Sequence, residues 1–141
     1  MANGNMKRLV ISLFAMLAMC SAWAGVEDDA LAAYQRKDYA TVLKIVRPPA
    51  QKGEAWAQAL LGDAYNFGRG VVQDHAEAVK WYRLAAPQGD AITQYNLGVM
   101  YDNGHGVPQD FKEAARWYKL AAAQGNASNN TRRKPQSSMA A

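Results

Sequence analysis

The sequence predicts an all-α fold, a short solenoid of helix-loop-helix repeats, from an internal repeat and the helical spacing of its apolar residues. Residues 54–89 are followed without a gap by residues 90–125, and 19 of the 36 aligned positions are identical. A repeat of this length is one supersecondary unit, which buries its apolar face only against neighbouring units. Stacked units of this kind favour binding over catalysis.

Each copy contains two helical stripes joined by a glycine-rich loop. The first stripe of the second copy consists of Ala91, Gln94, Leu97, Gly98 and Tyr101. These residues recur at steps of three and four, the spacing of one helix face, and a similar stripe runs from 114 to 121. Gly104 and Gly106 lie between the stripes and mark a helix end and a turn. Gly89 and Gly125 are expected to close the copies as left-handed caps.

Acidic pairs mark the predicted start of each second helix. Asp74 with Glu77, and Asp110 with Glu113, place an acceptor at the cap and a carboxylate three residues later, which is the capping-box arrangement. Because capping accounts for these acids, we expect them to be structural rather than a general acid and base pair.

Small and aromatic residues recur at equivalent positions of the two copies. The small ones are Gly62, Gly98, Ala85, Ala86, Ala121 and Ala122. They let helices approach closely, while Tyr65, Trp81, Tyr82 and their equivalents fill the remaining space. Since the same stripe occurs in both copies, we expect it to form the core rather than a cofactor site or a base-stacking platform.

Three motifs occur in both copies: L-G-x-x-Y, then G-x-G-V-x-Q-D, then E-A-x-x-W-Y-x-L-A-A-x-Q-G. They resemble the Sel-one-like repeat family, also called suppressor-of-lin-twelve-like, a relative of the tetratricopeptide repeat. The resemblance covers residues 54–125, about half of the chain. It implies an α/α right-handed superhelix and an adaptor role, with bacterial members often exported to the envelope. It implies no single reaction.

Residues 25–53 resemble a shortened unit of the same kind, a degenerate N-terminal tetratricopeptide-like hairpin. Moving the second stripe of the first copy back by 36 residues predicts apolar side chains where Val42, Ile45 and Val46 stand, and Asp38 falls at the cap. The glycine-rich loop is missing, so the first helix should turn directly into the second. With this hairpin, the chain after residue 24 is expected to contain about six helices.

Prolines predict disturbed turns in two of the second helices. Pro48 and Pro49 fall inside the helix of the N-terminal hairpin, which should kink or end near Val46, because proline lacks the N–H and clashes with the carbonyl four residues back. Pro87 should distort the last turn of the next second helix, whereas Ala123 at the equivalent position should not.

Residues 1–24 have the parts of a secretory signal peptide: a basic start, an uncharged run at 9–19 and a small-residue site ending at Ala24. The run is shorter than the ~20 residues a membrane span needs, so no stable membrane insertion is expected after cleavage. The alternative is processing as a lipoprotein at Cys20, where the preceding residues resemble a lipobox. Either route predicts an exported protein, periplasmic or secreted. Cleavage after Ala24 would remove the only cysteine.

The formal net charge of +4 does not come from the repeats. Five of the 16 basic residues lie in the leader or in the tail 126–141, so 11 remain to face 12 acids. A nucleic-acid binder needs clustered Lys and Arg, and no such cluster occurs between Gly25 and Gly125. We therefore predict no nucleic-acid partner.

Residues 126–141 are polar, contain Pro135 and are predicted to be disordered. The predicted helix from Asp110 to Ala123 then has no following repeat on its outer face, which leaves an apolar strip. Three hypotheses remain open for this strip. The tail folds over it, it docks another chain or a second copy through self-association, or it is a tolerated frayed end.

Histidines and serines form no recognisable catalytic or metal motif. His75 and His105 occupy non-equivalent repeat positions, without the spacing of a zinc site, so neither a metal nor another cofactor is expected. Some relatives in the family have been described as penicillin-binding or β-lactamase-like, but no Ser-x-x-Lys, Ser-Asp-Asn or Lys-Thr-Gly triplet occurs here. We therefore predict that the protein is not an enzyme.

Differences between the copies predict where a partner binds, because positions free to differ should face outward. On the first helices these positions follow steps of three, four and three, which is one continuous face. They are Trp56, Ala59, Asp63 and Asn66 in one copy and Ile92, Tyr95, Val99 and Asp102 in the other. First helices commonly line the concave surface of stacked hairpins, so we expect this face to bind, with Trp56 and Tyr95 as aromatic anchors. The alternative is that these are ordinary solvated side chains.

Three function classes follow, in this order. The first is an exported, non-enzymatic adaptor that binds a peptide or protein partner on the first-helix face. The second is a cell-wall or β-lactam binding protein with β-lactamase-like hydrolase activity. The third is a short structural fragment of a larger repeat array.

Overall fold

The computed structural model describes residues 25–132, with side chains described up to Gly125. The predicted signal peptide, residues 1–24, and residues 133–141 of the predicted tail lie outside this range. The helices are α1 (25–35), α2 (Tyr39–Gln51), α3 (Ala55–Phe67), α4 (His75–Ala85) with a 3-10 turn at Ala86–Gln88, α5 (Ala91–Asn103) and α6 (Phe111–Arg132). No strand occurs in the described range, so the predicted all-α class and the number of helices are confirmed. None of these helices is both long and apolar enough to cross a membrane.

Contacts divide the chain into two compact units, with the boundary between Ile45 and Val46. In the first unit, Asp38 begins α2 as predicted, since its Oδ1 accepts a hydrogen bond from the backbone N–H of Thr41 at 3.2 Å. Val42, one of the predicted apolar positions, is buried there, and Val46 is buried in the second unit. The cap and these two buried positions are therefore confirmed.

α2 does not end near Val46 as predicted, and the alternative prediction of a kink there stays a prediction. The helix carries Pro48 and Pro49 in its interior and continues to Gln51. The fixed φ of proline is itself helical, so the chain can stay helical past the prolines, although each one removes a hydrogen bond and crowds the carbonyl four residues back. Ala50, beyond both prolines, is 1% exposed, and its burial helps to offset the lost hydrogen bonds.

The two repeats form the hairpins α3–α4 and α5–α6, which belong to the second unit. Gly68 and Gly104 end the first helices in the left-handed conformation, with φ of 64° and 68°. The turn predicted from the glycine-rich loop is thus confirmed. At Gly106 a Cβ would collide with the backbone of His75, so only glycine lets this loop reach the start of α4.

Asp74 and Asp110 begin α4 and α6 as predicted caps. Their Oδ1 atoms accept hydrogen bonds from the backbone N–H groups of Glu77 and Glu113, each at 3.0 Å. The glutamates do not return to the cap, as a complete capping box requires. Oε2 of Glu77 instead lies 2.7 Å from Nζ of Lys80, and Glu113 pairs with the basic residue three positions later in the same way. The acids are structural, but only half of the capping box is present.

Tyrosine rings and small residues bring the helices of each repeat close together. The buried cluster between the repeats consists of Ala78, Val79, Tyr82, Ala86, Leu97 and Met100, and Trp117 packs against it. A Cβ on Gly62 would lie 2.5 Å from the Tyr82 ring, and one on Gly98 would lie 2.7 Å from the Tyr118 ring. The close approach at both glycines is confirmed. The predicted core stripe is confirmed for Tyr82 and Ala86 of the first repeat, but in the second repeat Tyr118 is half-buried and Ala122 is exposed.

The two repeats end differently. Pro87 lies in the 3-10 turn, and Gly89 follows in the left-handed conformation with φ of 105°, as predicted. The predicted cap at Gly125 is wrong, because α6 runs through it to Arg132 and takes in the first part of the tail that we expected to be disordered. Ala123 retains the N–H that Pro87 lacks, so α6 has no proline to tighten the helix where the first repeat ends in a 3-10 turn.

Candidate interaction site

Ile92 and Tyr95 are the most exposed of the predicted binding residues. Ile92 is 71% exposed and Tyr95 is 56% exposed, whereas the others are half-buried. The two side chains lie about one turn apart near the N-terminus of α5. The structure therefore presents a short apolar part of the predicted face rather than all of it.

An open apolar groove runs between α5 and α6 beside these residues. Its volume is about 650 Å³, and it is lined by Ala91, Ile92, Tyr95, Tyr118, Ala121 and Ala122. The rings of Tyr95 and Tyr118 are tilted against each other, with centroids 5.3 Å apart. The lining carries little polar surface, so water in the groove gains few hydrogen bonds and an apolar side chain can displace it. We call this feature the α5–α6 groove.

Four of the six groove-lining residues were missed by comparing the two copies, including Ala91 of α5. Tyr118, Ala121 and Ala122 are identical in the first repeat and were therefore assigned to the core. The sequence did contain a signal for them, because the positions that would supply a covering helix, 36 residues after α5, are polar. Shared residues face a core only where a neighbouring helix covers them.

Asp63, a predicted binding residue, is engaged within the repeat. The hydroxyl of Tyr82 donates a hydrogen bond to its Oδ1 at 2.6 Å, and Nδ2 of Asn96 lies 3.4 Å from the same oxygen. Burial raises the pKa of the Asp63 carboxyl, and the hydrogen bond from Tyr82 opposes part of that shift. Burial and the neighbouring carboxylate also raise the pKa of Tyr82.

The second repeat holds the equivalent tyrosine differently. The position of Asp63 is occupied by Val99, and the hydroxyl of Tyr118 instead donates to Oδ2 of Asp102, one turn further along α5, at 3.4 Å. Burial is the main cause that raises the pKa of Tyr118, and the nearby Asp102 adds to it. Each repeat therefore keeps one acid for its tyrosine, at a different position of the same predicted face.

Trp56 and Asn66 are both half-buried on α3. Oδ1 of Asn66 lies 3.0 Å from Nδ1 of His75, and its backbone carbonyl accepts a hydrogen bond from Nε2 of Gln73 at 2.7 Å. Asn66 thus ties the end of α3 to the start of α4. The structure does not bring Trp56 into the α5–α6 groove.

The two histidines, which are far apart in the repeat pattern, stack against each other. The ring centroids of His75 and His105 are 4.8 Å apart and their planes differ by 11°. The lone pairs of parallel rings lie in separate planes, so they do not converge on a point about 2.0 Å from both nitrogens, as a shared zinc ion requires. Among the described residues no three metal-ligating side chains come together.

The comparisons agree with the repeat pattern. The Sel1 repeat model matches residues 57–90 and 91–126. A crystal structure of a Sel1 repeat protein from Oxalobacter formigenes shares 43% identity at a TM-score of 0.58, and the match covers 60% of this chain and 64% of that one. A protective antigen present in uropathogenic Escherichia coli strains, described as displaying an SLR fold, shares 37% identity at a TM-score of 0.65, covering 76% of this chain and 25% of that one. The chain thus spans less than two thirds of either protein. A search of curated proteins gives no significant match.

Proposed function

Because the chain carries two tandem Sel1 repeats and belongs to the Sel1-repeat proteins, we propose that it is an exported, non-enzymatic adaptor that binds a protein or peptide partner. The repeat family supports an interaction role in general. The finer proposal is that the partner binds the first-helix face at its exposed apolar part, where Ile92 and Tyr95 border the α5–α6 groove.

The exposure of Ile92 and Tyr95 beside an apolar groove carries this proposal. Contact between contiguous apolar surface and water is unfavourable. Such surface on a protein therefore commonly marks an interaction site. Interface anchors are typically aromatic side chains with surrounding contacts that exclude water. Tyr95 and Tyr118 supply the aromatic pair, and the alanines of α6 supply a smooth floor.

The remaining predicted residues have a supporting part in this proposal. Asp63, Asn66 and Asp102 bond to the second helix of their own repeat and so fix the face on which a partner would lie. Trp56 and Val99 are half-buried and lie outside the groove lining. The face is therefore proposed to bind through Ile92 and Tyr95, while Asp63 and Asp102 stabilise the hairpins.

A capture experiment tests the proposal. The purified chain is immobilised and exposed to an envelope extract, and the captured proteins are identified and titrated. Replacement of both Ile92 and Tyr95 by alanine should weaken binding at least about tenfold, since losing an aromatic anchor costs roughly 2 kcal/mol or more. Val72→Ala is the matched control, because Val72 is 89% exposed and lies outside the groove. Equal binding by all three proteins, with unchanged helicity, would refute the proposed site.

The non-enzymatic and exported parts have separate tests. A chromogenic β-lactam should show no turnover with the purified chain, and turnover that co-purifies with it would favour the hydrolase alternative. Mass spectrometry of the protein recovered from cells should give an N-terminus at Gly25 if the leader is cleaved after Ala24. A lipid-modified N-terminus at Cys20 would point to a lipoprotein, and an intact N-terminus in the cytoplasm would contradict export.

A further inference from the structure

An equivalent surface is covered within the chain, where α5 lies against α4 and the 3-10 turn of the α3–α4 hairpin. Leu97 and Met100 of α5 are 0% and 1% exposed and pack in one cluster with Tyr82 and Ala86. Nε2 of Gln94 also donates a hydrogen bond to the carbonyl oxygen of Ala86 at 3.0 Å. A helix therefore packs on the preceding hairpin through an apolar stripe and a buried hydrogen bond.

The α5–α6 groove repeats this seat 36 residues later. Tyr118 and Ala122 occupy the positions of Tyr82 and Ala86. The first-repeat pair is 0% exposed, whereas Ala122 is exposed and Tyr118 is half-buried. Within the described residues α6 continues to Arg132 and no helix covers the groove. The surface of α4 that α5 covers thus has an equivalent on α6, and no helix of the described residues covers that one.

The positions of the tail that continue the repeat pattern do not supply a matching helix for this seat. The positions 36 residues after Leu97 and Met100 hold Arg133 and Gln136, which would lose hydration against alanine and tyrosine side chains. A second copy also has its matching helices in use, since Leu61 is 2% exposed and Leu97 is fully buried in its own repeats. The fitting occupant is a helix of a different protein.

A positive charge beside the groove indicates which side chain the partner helix carries at its edge. In the filled interface, Nη2 of Arg83 on α4 donates a hydrogen bond to the hydroxyl of Tyr101 on α5 at 2.6 Å, with the guanidinium 5.6 Å from the ring centroid. The residue equivalent to Arg83 on α6 is Lys119, which is exposed. The cation is retained, so an incoming helix meets it best with a tyrosine hydroxyl or a carboxylate.

We infer that the α5–α6 groove takes an amphipathic helix of a partner protein, seated as α5 is seated on α3–α4. This inference rests on the proposed adaptor function and names the class of partner. The helix presents two large aliphatic side chains three residues apart, like Leu97 and Met100, followed at the next position by an acceptor for Lys119. Helix-in-groove binding of this kind is read through anchors on one helix face.

A peptide with the sequence of residues 90–103 serves as the probe, because it has the side chains of the seated helix. It is stapled between the positions of Tyr95 and Val99, since an isolated helix of this length is marginal in water. The fluorescent peptide is titrated into the full chain and followed by anisotropy. We expect saturable binding, and we expect a peptide with serine in place of both Leu97 and Met100 to bind at least about tenfold more weakly.

Variants of the protein locate the binding. Ala122→Glu should abolish saturable binding by placing a charge in the groove, and Lys119→Glu should weaken it by about threefold or more. Lys44→Glu on α2 is the matched charge control and should change the affinity by less than about twofold. Absence of peptide binding, or binding indifferent to Ala122→Glu, would overturn the inference.

The outcome separates this inference from the proposed function. Capture that depends on Ile92 and Tyr95, with no binding or competition by the stapled peptide, would leave the adaptor standing and reject a helical occupant. A dimer of the wild-type chain that Ala122→Glu converts to a monomer would identify a second copy as the occupant and also reject it. Competition between the peptide and the captured protein supports the inference.

Discussion

The hairpins α3–α4 and α5–α6 share 19 of 36 residues, yet the same side chains have different surroundings in the two. Tyr82 and Ala86 are fully buried under α5, whereas Tyr118 is half-buried and Ala122 is exposed. In a solenoid the environment of a residue depends on its repeat and on the presence of the next one. A residue that is identical in both repeats can therefore be buried in one repeat and exposed in the other.

The hairpins also differ in how they hold their tyrosines. Tyr82 donates to Asp63 at 2.6 Å, and Tyr118 donates to Asp102, one turn further along, at 3.4 Å. A hydroxyl removed from water needs a hydrogen-bond partner, so the acid is present in both repeats while its position changes. Variation between copies is thus partly compensation inside the hairpin rather than freedom to contact a partner.

The largest expected effect comes from truncating the two tyrosines. Tyr82→Ala should lower the free energy of unfolding by about 3–5 kcal/mol, the range for a buried aromatic side chain. Tyr118→Ala should cost less than about 2 kcal/mol, because the residue is half-buried to begin with. Urea unfolding followed by tryptophan fluorescence measures both. Equal losses would show that the groove is covered in solution and would remove the contrast between the hairpins.

A methyl group added at the equivalent glycines is the next largest change. Gly62→Ala places a Cβ 2.5 Å from the fully buried ring of Tyr82, which should cost about 1–3 kcal/mol through overpacking. Gly98→Ala meets the Tyr118 ring at 2.7 Å, but that ring can shift toward the open groove, so the net change should stay within about 1 kcal/mol. A greater loss for Gly98→Ala than for Gly62→Ala would contradict this account.

Two buried glutamines at equivalent positions of the repeats, Gln58 and Gln94, differ in how completely their side-chain amides are hydrogen-bonded. Gln58 uses both ends of its amide, donating to the Ala50 carbonyl at 3.2 Å and accepting from Gln88 at 3.1 Å. Gln94 donates to Ala86, but its Oε1 is buried without a partner in the described chain. Gln58→Met should therefore cost about 1–3 kcal/mol and Gln94→Met less than about 1, measured by urea unfolding. The reverse order would mean that the two interfaces are held differently.

The smallest effect is a pH dependence that belongs to the first hairpin. Folding raises the pKa of Asp63 above its ordinary value of 3.8, mainly through burial. A carboxyl with a raised folded-state pKa stabilises the fold when protonated and loses that contribution as the pH rises above its unfolded pKa. The unfolding free energy of the wild type should fall relative to Asp63→Asn as the pH rises from about 3.5 to about 7. Parallel pH profiles of the two proteins would count against this effect of burial.

Much of the fold followed from local pattern. The period of 36 residues, the glycines at the loop and the aspartates at the caps each specify local backbone geometry, and the structure places helices and turns there accordingly. The two errors have different causes, the burial of a residue beyond the prolines in one case and the identity of a neighbouring residue in the other. Pro48 and Pro49 stay in α2, whose buried Ala50 helps to offset the lost hydrogen bonds, and Gly125 stays helical because Ala123 does not tighten the preceding turn as Pro87 does.

The candidate site was predictable only in part. Ile92 and Tyr95 differ from their counterparts and are exposed, as the comparison of copies suggested. The comparison of copies missed Tyr118. Identity between the copies reflects packing within each hairpin, and it does not show whether a further helix packs on that hairpin. Asp63 differs between the copies but bonds to Tyr82, a pairing across two helices that a period of 36 residues does not reveal.

Hydroxyl-radical footprinting of the tyrosines, read by mass spectrometry, tests the central claim most directly, because the rate of modification follows side-chain exposure. In the purified chain Tyr95 and Tyr118 should be modified and Tyr82 protected, and the captured partner should then protect Tyr95 and Tyr118 alone. Protection of Tyr118 to the level of Tyr82 in the chain by itself would contradict the open α5–α6 groove.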